Sequence, residues 1–154
     1  MSDLDVSVHI DAKPERVWEL LGDPTRMGEW SPECQRVTWK GKATSPALGA
    51  KFSGSNRNGW RRWSTTGTVV EFTPGERIAW DVKVAFLPIA RWAYHVSPDD
   101  DGSGCTVVES FDDHRDGLMK LVGRPVRGVS DVPSHNRKGM EATLAKVKAA
   151  AERR

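Results

Sequence analysis

Residues 6–33 read VSVHIDAKPERVWELLGDPTRMGEWSPE, and this stretch decides how the fold begins. Apolar and polar residues alternate at its start, which predicts a half-buried strand. Pro14 followed by an acidic residue predicts a helix start, and Gly22 predicts the end of that helix. Pro24 predicts a second short helix that runs to about Trp30. The chain is therefore expected to turn back sharply before its next strand.

The rest of the chain predicts a run of strands and then one long helix. Extended segments are predicted at 35–39, 51–55, 60–72, 77–86, 89–97 and 105–112. Asn58-Gly59 and residues 73–76 (TPGE) are typical of tight turns between antiparallel strands. A short helical segment is predicted at 118–122, as either a lid or a packed connection. From about Pro133 the apolar residues follow helical spacing to the end of the chain.

This order predicts an antiparallel sheet with one wet face and one face that needs cover. The C-terminal helix is the element long enough to cover it. A bent sheet holding one helix leaves a concave apolar space, where ligand sites are commonly found. The sequence contains no repeat or linker, so residues 1–154 are expected to form a single domain.

Composition and charge exclude several classes of protein. The 23 basic and 21 acidic residues give a net charge of +2, which predicts no strong attraction to nucleic acid or anionic membranes. The chain shows no signal-peptide pattern and no apolar run of about 18 residues, so a cytoplasmic protein without stable membrane insertion is expected. Cys34 and Cys105 lie too far apart for a zinc motif and are predicted to be free thiols. No cofactor is predicted.

Tryptophan is the compositional outlier. The chain has seven tryptophans, where about two would be usual for its length. Each indole buries a large surface and brings an N–H that needs a partner. The set predicts either a bulky core or an aromatic wall around a cavity.

Together these segments resemble the START-like or helix-grip superfamily, specifically the SRPBCC group that includes polyketide cyclase/dehydrase and lipid-transport proteins. The resemblance rests on residues 6–33, on GTVVEFTPGERIAW at 67–80, on ARWAYHV at 90–96, on CTVVESFDD at 105–113 and on SHNRKGMEATLAKVK at 134–148. It implies an α+β helix-grip fold: a curved seven-stranded antiparallel sheet, two short helices after the first strand, and a long C-terminal helix across the concave face. The fold alone does not identify a reaction.

The leading functional hypothesis is binding of a hydrophobic small molecule, lipid-like or aromatic polyketide, between the sheet and the C-terminal helix. The alternatives are a cyclase/dehydrase-like enzyme and a regulatory or toxin–antitoxin-type interaction protein, and homodimerisation is left open. The predicted ligand-binding residues are Trp60, Arg62, Trp80, Val82, Trp92, Tyr94, Phe111, Asn136, Met140 and Leu144. Ordinary core filling is the competing interpretation for each aromatic residue, and helix-end hydrogen bonding for Asn136.

Glu109 is the candidate catalytic residue. It shares a strand face with Val107 and Phe111, so it is expected to point inward, where burial raises the pKa of a carboxyl group. In an enzyme it would be the base, with Arg62 or Tyr94 polarising a carbonyl group. The alternatives are a structural ion pair with Arg62 or a residue at the rim of the sheet.

Two charged regions are interpreted as solvated surface. Residues 112–116 (DDHRD) resemble a metal cluster, but adjacent strand residues point to opposite faces and cannot all reach one ion, so no metal site is predicted. Arginines and lysines make residues 40–62 locally basic, which would suit an acidic head group or nucleic acid. Basic residues are common on the wet face of a sheet, and no nucleic-acid partner is predicted.

Overall fold

The computed structural model describes residues 2–117 and 132–153. One antiparallel sheet contains seven strands: β1 (Leu4–Ile10), β2 (Cys34–Trp39), β3 (Lys51–Asn58), β4 (Arg61–Thr73), β5 (Arg77–Val84), β6 (Leu87–Pro98) and β7 (Cys105–Asp113). Their order across the sheet is β1-β7-β6-β5-β4-β3-β2. The helices are α1 (Pro14–Leu21), a 3₁₀ turn (Pro24–Arg26), α2 (Met27–Trp30) and α3 (Val132–Glu152). The predicted helix-grip architecture is confirmed, while the segment predicted at 118–122 lies outside the described residues.

The segment between β1 and β2 folds as its prolines and acidic residues predict. Pro14 occupies the first turn of α1, and the Asp23 carboxylate accepts a hydrogen bond of 2.9 Å from the Thr25 amide at the start of the 3₁₀ turn. The indole N–H of Trp30 donates to the carbonyl oxygen of Leu20 at 3.0 Å. This buried bond satisfies the one polar atom of Trp30 and fixes α2 against α1.

The β3–β4 turn differs from the prediction by one residue. Asn58 pairs with Arg61, so the two-residue loop is Gly59-Trp60 and not Asn58-Gly59. Gly59 has a φ of 64°, a conformation that glycine adopts without steric cost. Trp60 therefore stands at the tip of a hairpin, outside the strand where the sequence pattern placed it.

A bulge in β4 changes which residues share a face. The pairing with β5 shifts between Val69 and Glu71, so the alternation of side chains shifts by one residue there. Phe72 consequently packs against the same core as Val69. Uninterrupted alternation would have put Phe72 on the face opposite Val69.

Helix α3 closes the concave side of the sheet and is held at both ends. Near its C-terminus the Lys148 ammonium donates to the carbonyl oxygen of His9 at 2.9 Å, and the Asp11 amide donates to Glu152 at 2.8 Å. Near its N-terminus the His135 ring bonds the Glu33 carboxylate. Among the described residues no helix has both the length and the apolar character to span a bilayer.

Candidate ligand-binding site

Glu109 lies in the middle of β7 and faces the interior. It pairs in register with Val6 of β1 and Tyr94 of β6, and its neighbours two residues away, Val107 and Phe111, are buried on the same face. Only 3% of Glu109 is exposed to solvent. Because burial disfavours the ionised form, the pKa of its carboxyl group rises to about 8. The predicted inward carboxyl group is therefore present.

The partner of Glu109 is Tyr94. The Tyr94 hydroxyl donates to Glu109 Oε1 at 2.7 Å. Burial raises the pKa of Tyr94 well above its usual value, and Glu109 adds to the rise. Tyr94 therefore stays protonated and keeps donating to the carboxyl group, whose pKa this hydrogen bond lowers without offsetting the effect of burial.

The second carboxyl oxygen of Glu109 is the exceptional atom of the site. Oε2 is buried and has no hydrogen-bond partner in the described part of the chain. Such atoms are rare in folded proteins, because an unsatisfied buried polar atom costs about 1–3 kcal/mol. The arrangement is suited to a polar atom of a bound molecule.

Aromatic rings form the sheet side of the site. The Trp80 ring lies 5.7 Å from the ring of Tyr94 and 5.9 Å from that of Phe52, between ring centroids. Trp92 and Phe111 form a second pair at 4.8 Å. Residues Trp80, Tyr94 and Phe111 are buried, whereas Trp92 is half-buried. Trp80 thus belongs to the core, and Trp92 marks a less fully covered part of the same face.

The helix side contributes a mostly apolar surface. Asn136, Met140 and Leu144 are all buried, and Met140 packs with Phe111. Their positions follow the predicted apolar stripe of the helix. Val82 of β5 is half-buried against the same core. The structure thus brings eight of the ten predicted ligand-binding residues to the packed side of the sheet that α3 covers.

Trp60 and Arg62 do not join them. Trp60 is 79% exposed at the tip of the β3–β4 hairpin. Arg62 is exposed on the same hairpin and pairs in register with Arg57. Arg62 is therefore not the partner of Glu109, and the predicted ion pair between them is wrong. The error follows from the assumption that even-numbered positions of β4 face inward, whereas the odd-numbered Gly67 and Val69 do so.

Sequence reasoning also missed two residues beside Tyr94. The sulfur of Met27 lies 3.7 Å from the Tyr94 hydroxyl oxygen, and Cys34 lies near enough to add to the rise in the pKa of Tyr94. These residues come from α2 and from the first position of β2. The signal available in the sequence was the apolar face of the segment 27–30, which has to pack against some part of the sheet.

The cysteines are free, as predicted, and are expected to be unreactive. Burial raises the pKa of Cys34 to about 11 and also raises that of the fully buried Cys105. At about pH 8 Cys34 should react with a thiol-specific disulfide reagent about a hundredfold more slowly than an exposed thiol, because the thiolate is the nucleophile. A Ser45→Cys variant, altered in an exposed loop, supplies the exposed reference. Fast labelling of the unmodified protein would contradict this prediction.

The acidic run at the exit of β7 is less solvated than expected. The Arg115 guanidinium donates to the Asp113 carboxylate at 2.8 and 3.0 Å, and the Arg115 side chain is only 7% exposed. The interpretation of this run as solvated therefore holds for the exposed His114 and Asp116 and not for Arg115. Within residues 2–117 and 132–153, no three metal-binding side chains group together.

Comparison with known proteins assigns the family. The model of the family described as polyketide cyclase/dehydrase and lipid transport matches residues 1–152. The chain belongs to this family. A search of curated proteins found no match.

Several solved structures share this fold. XoxI from Bacillus cereus superposes with a TM-score of 0.72 at 15% identity, covering 98% of this chain and 96% of that one. The polyketide-cyclase-like protein Cgl2372 from Corynebacterium glutamicum has 26% identity and a TM-score of 0.57, covering 97% and 88%. The di-domain ARO/CYC StfQ of the steffimycin biosynthetic pathway has 12% identity and a TM-score of 0.70, covering 97% of this chain and 50% of that one.

Proposed function

We propose that this polyketide cyclase/dehydrase and lipid transport family member binds an apolar or aromatic small molecule between the concave face of the sheet and α3. The observation that carries the proposal is the buried Oε2 atom of Glu109, which has no hydrogen-bond partner in the described residues and belongs to a strand face that also carries the buried Val107 and Phe111. A polar atom on a largely apolar ligand would satisfy it. The rings of Trp92 and Phe111 would contact the apolar part.

The protonation of Glu109 specifies the polar atom. With a pKa of about 8, the carboxyl group is mostly protonated at neutral pH. The Tyr94 hydroxyl donates to Oε1, so the carboxyl proton is best placed on Oε2, where it can be donated. The preferred ligand therefore carries an acceptor such as a carbonyl oxygen.

Ligand binding is tested by quenching of tryptophan fluorescence with matched pairs of polycyclic aromatics, with and without a carbonyl group. We expect binding of both, and about tenfold tighter binding of the carbonyl compound, from the hydrogen bond to Glu109. Glu109→Gln should keep the preference, because an amide N–H also donates. Glu109→Leu should abolish it.

The control is Glu76→Gln, which alters an exposed carboxyl group in the turn between β4 and β5. This substitution should leave both affinities unchanged. A broad panel that produces neither quenching nor a thermal shift would contradict ligand binding. Equal affinity for both members of each pair in the unmodified protein would contradict the role of Glu109.

The hydrogen bond between Tyr94 and Glu109 favours acid–base catalysis as a second candidate function. A carboxyl group with a pKa of about 8 donates a proton at neutral pH and accepts one above pH 8, so it can assist enolisation or loss of water. The similarity to StfQ, a di-domain ARO/CYC of the steffimycin biosynthetic pathway, fits this candidate. Arg62 takes no part because of its position. Loss of turnover in Glu109→Gln with retained binding would support catalysis, and retained turnover would exclude Glu109 as the acid or base.

A further inference from the structure

Two neighbouring turns expose large apolar side chains at one end of the sheet. Trp60, in the β3–β4 turn, is 79% exposed, and Phe86, in the β5–β6 turn, is 82% exposed. Strand β4 pairs with β5 from Thr66 and Lys83 onward, so both turns lie at the same end, and the β3–β4 hairpin projects farther. Single exposed apolar residues are ordinary, but aromatic residues on adjacent projecting turns mark an interaction surface. We call these two turns the tip surface.

The tip surface is basic in a nearly neutral protein. Residues 52–67 contain the three basic residues Arg57, Arg61 and Arg62 and no acidic one, and residues 82–90 contain Lys83 and no acidic one. The net charge of +2 hides this local excess. Asp112 and Asp113 lie at the same end of the sheet, on the far side of β6, so the basic excess is confined to these two turns and the strand residues next to them.

Two arginines of the hairpin face each other on neighbouring strands. Arg57 and Arg62 are directly opposite in register, a placement that is destabilising for like charges. Among the described residues neither forms an ion pair. They border a groove with a volume of about 440 Å³ that Ser55 and Ser64 also line. An anion in this groove would relieve the repulsion and accept hydrogen bonds from both guanidinium groups.

The hairpin tip combines this charge with an aromatic ring at the same level. The Arg61 guanidinium lies 4.3 Å from the centroid of the Trp60 ring. Indole rings favour the boundary between head groups and acyl chains of a bilayer, and arginines beside them reach lipid phosphates. The pair thus matches the two layers that a bilayer presents.

The β5–β6 turn presents Phe86 at a conformational cost. Ala85 has a φ of 54°, a left-handed conformation that disfavours residues with a Cβ atom. Because the ring of Phe86 is exposed, its packing within the fold offsets little of this conformational free energy. Leu87, 41% exposed, adds an aliphatic side chain beside it. A contact outside the chain would bury both.

We propose that the tip surface docks this protein on anionic phospholipid bilayers, with Trp60 at the level of the acyl boundary, Arg57 and Arg62 on lipid phosphates, and Phe86 in contact with the bilayer surface. Single-stranded nucleic acid also accepts arginines and stacked aromatic rings. Binding of nucleic acid would leave the aliphatic side chain of Leu87, and the apolar residues at the ends of the projecting turns, without a matching partner. The docking surface lies on the outside of the protein and does not depend on the ligand proposed above.

The test is cosedimentation with vesicles of phosphatidylcholine, with and without phosphatidylglycerol. A tip variant combines Trp60→Ser, Arg57→Gln and Arg62→Gln. The control is an opposite-end variant with Leu48→Ser, Lys40→Gln and Lys42→Gln, which removes one exposed apolar residue and two charges from the β2–β3 loop. All six substituted residues are exposed to solvent. Both variants should therefore keep the melting temperature of the unmodified protein.

We expect the unmodified protein to bind the vesicles that contain phosphatidylglycerol, and to bind them less as salt is added. The tip variant should bind at least about tenfold more weakly, and the opposite-end variant should bind normally. Phe86→Ser alone should weaken binding by a smaller factor. Absence of binding, equal loss in both variants, equal binding to pure phosphatidylcholine, or binding to single-stranded RNA in place of vesicles would overturn the proposal.

Discussion

Replacing Glu109 by glutamine is expected to stabilise the protein above neutral pH and to leave its stability almost unchanged at about pH 5. In the folded protein burial raises the pKa of Glu109 to about 8 from an ordinary value of 4.5. Between these values the unfolded chain releases the proton while the folded protein keeps it, so stability falls as pH rises. Above about pH 8 both states are ionised and the loss is complete. A shift of this size corresponds to several kcal/mol.

The glutamine variant lacks this ionisation but keeps an oxygen that accepts from Tyr94. Melting temperatures measured from about pH 5 to pH 9 should therefore diverge, with the variant about 5–10 °C higher at the alkaline end. Glu141→Gln, at an exposed position of α3, should follow the unmodified protein throughout. Parallel curves for the Glu109 variant and the unmodified protein would show that the carboxyl group is ionised in the folded state.

Gly67→Ala is expected to be among the most damaging single-methyl additions to the sheet. A Cβ atom at Gly67 would lie 2.2 Å from the ring of Phe52, its cross-strand partner. That ring cannot move freely, because it packs edge-on against Trp39 and Trp80, each with centroids at 5.9 Å. Overpacking of this kind costs about 1–3 kcal/mol, and the locked ring places the cost near the upper value. The melting temperature should fall by about 6–12 °C.

Gly139→Ala is the matched control for this substitution. At this helical position the nearest atom to an added Cβ is Pro32 Cγ at 3.8 Å, an ordinary contact. Alanine favours a helix over glycine by about 1 kcal/mol, so stability should rise. In a Phe52→Ala background the cost of Gly67→Ala should disappear, which a double-mutant cycle measures. A cost that persists without the ring would trace the effect to the backbone of β4 instead.

The inward position of Glu109 could be predicted because it depends on a local rule. Strand alternation carries Val107, Glu109 and Phe111 to one face, and their burial confirms it. Alternation placed Tyr94 on the same face, but it also placed Arg62 there, because the β3–β4 hairpin register and the bulge shift the parity of β4. The structure decides between these two candidate partners in favour of Tyr94.

The sequence by itself determined the order of elements, the turn at Pro74-Gly75, the apolar stripe of the C-terminal helix and the family. The first three follow from residues that lie close together in the chain, whose backbone preferences and spacing act locally, whereas the family follows from a resemblance over the whole chain. Tertiary structure alone decided that Trp60 is exposed while Trp80 is buried, and that Tyr94, Met27 and Glu109 meet. Those outcomes depend on the register between strands and on packing across the sheet, which join residues far apart in the chain.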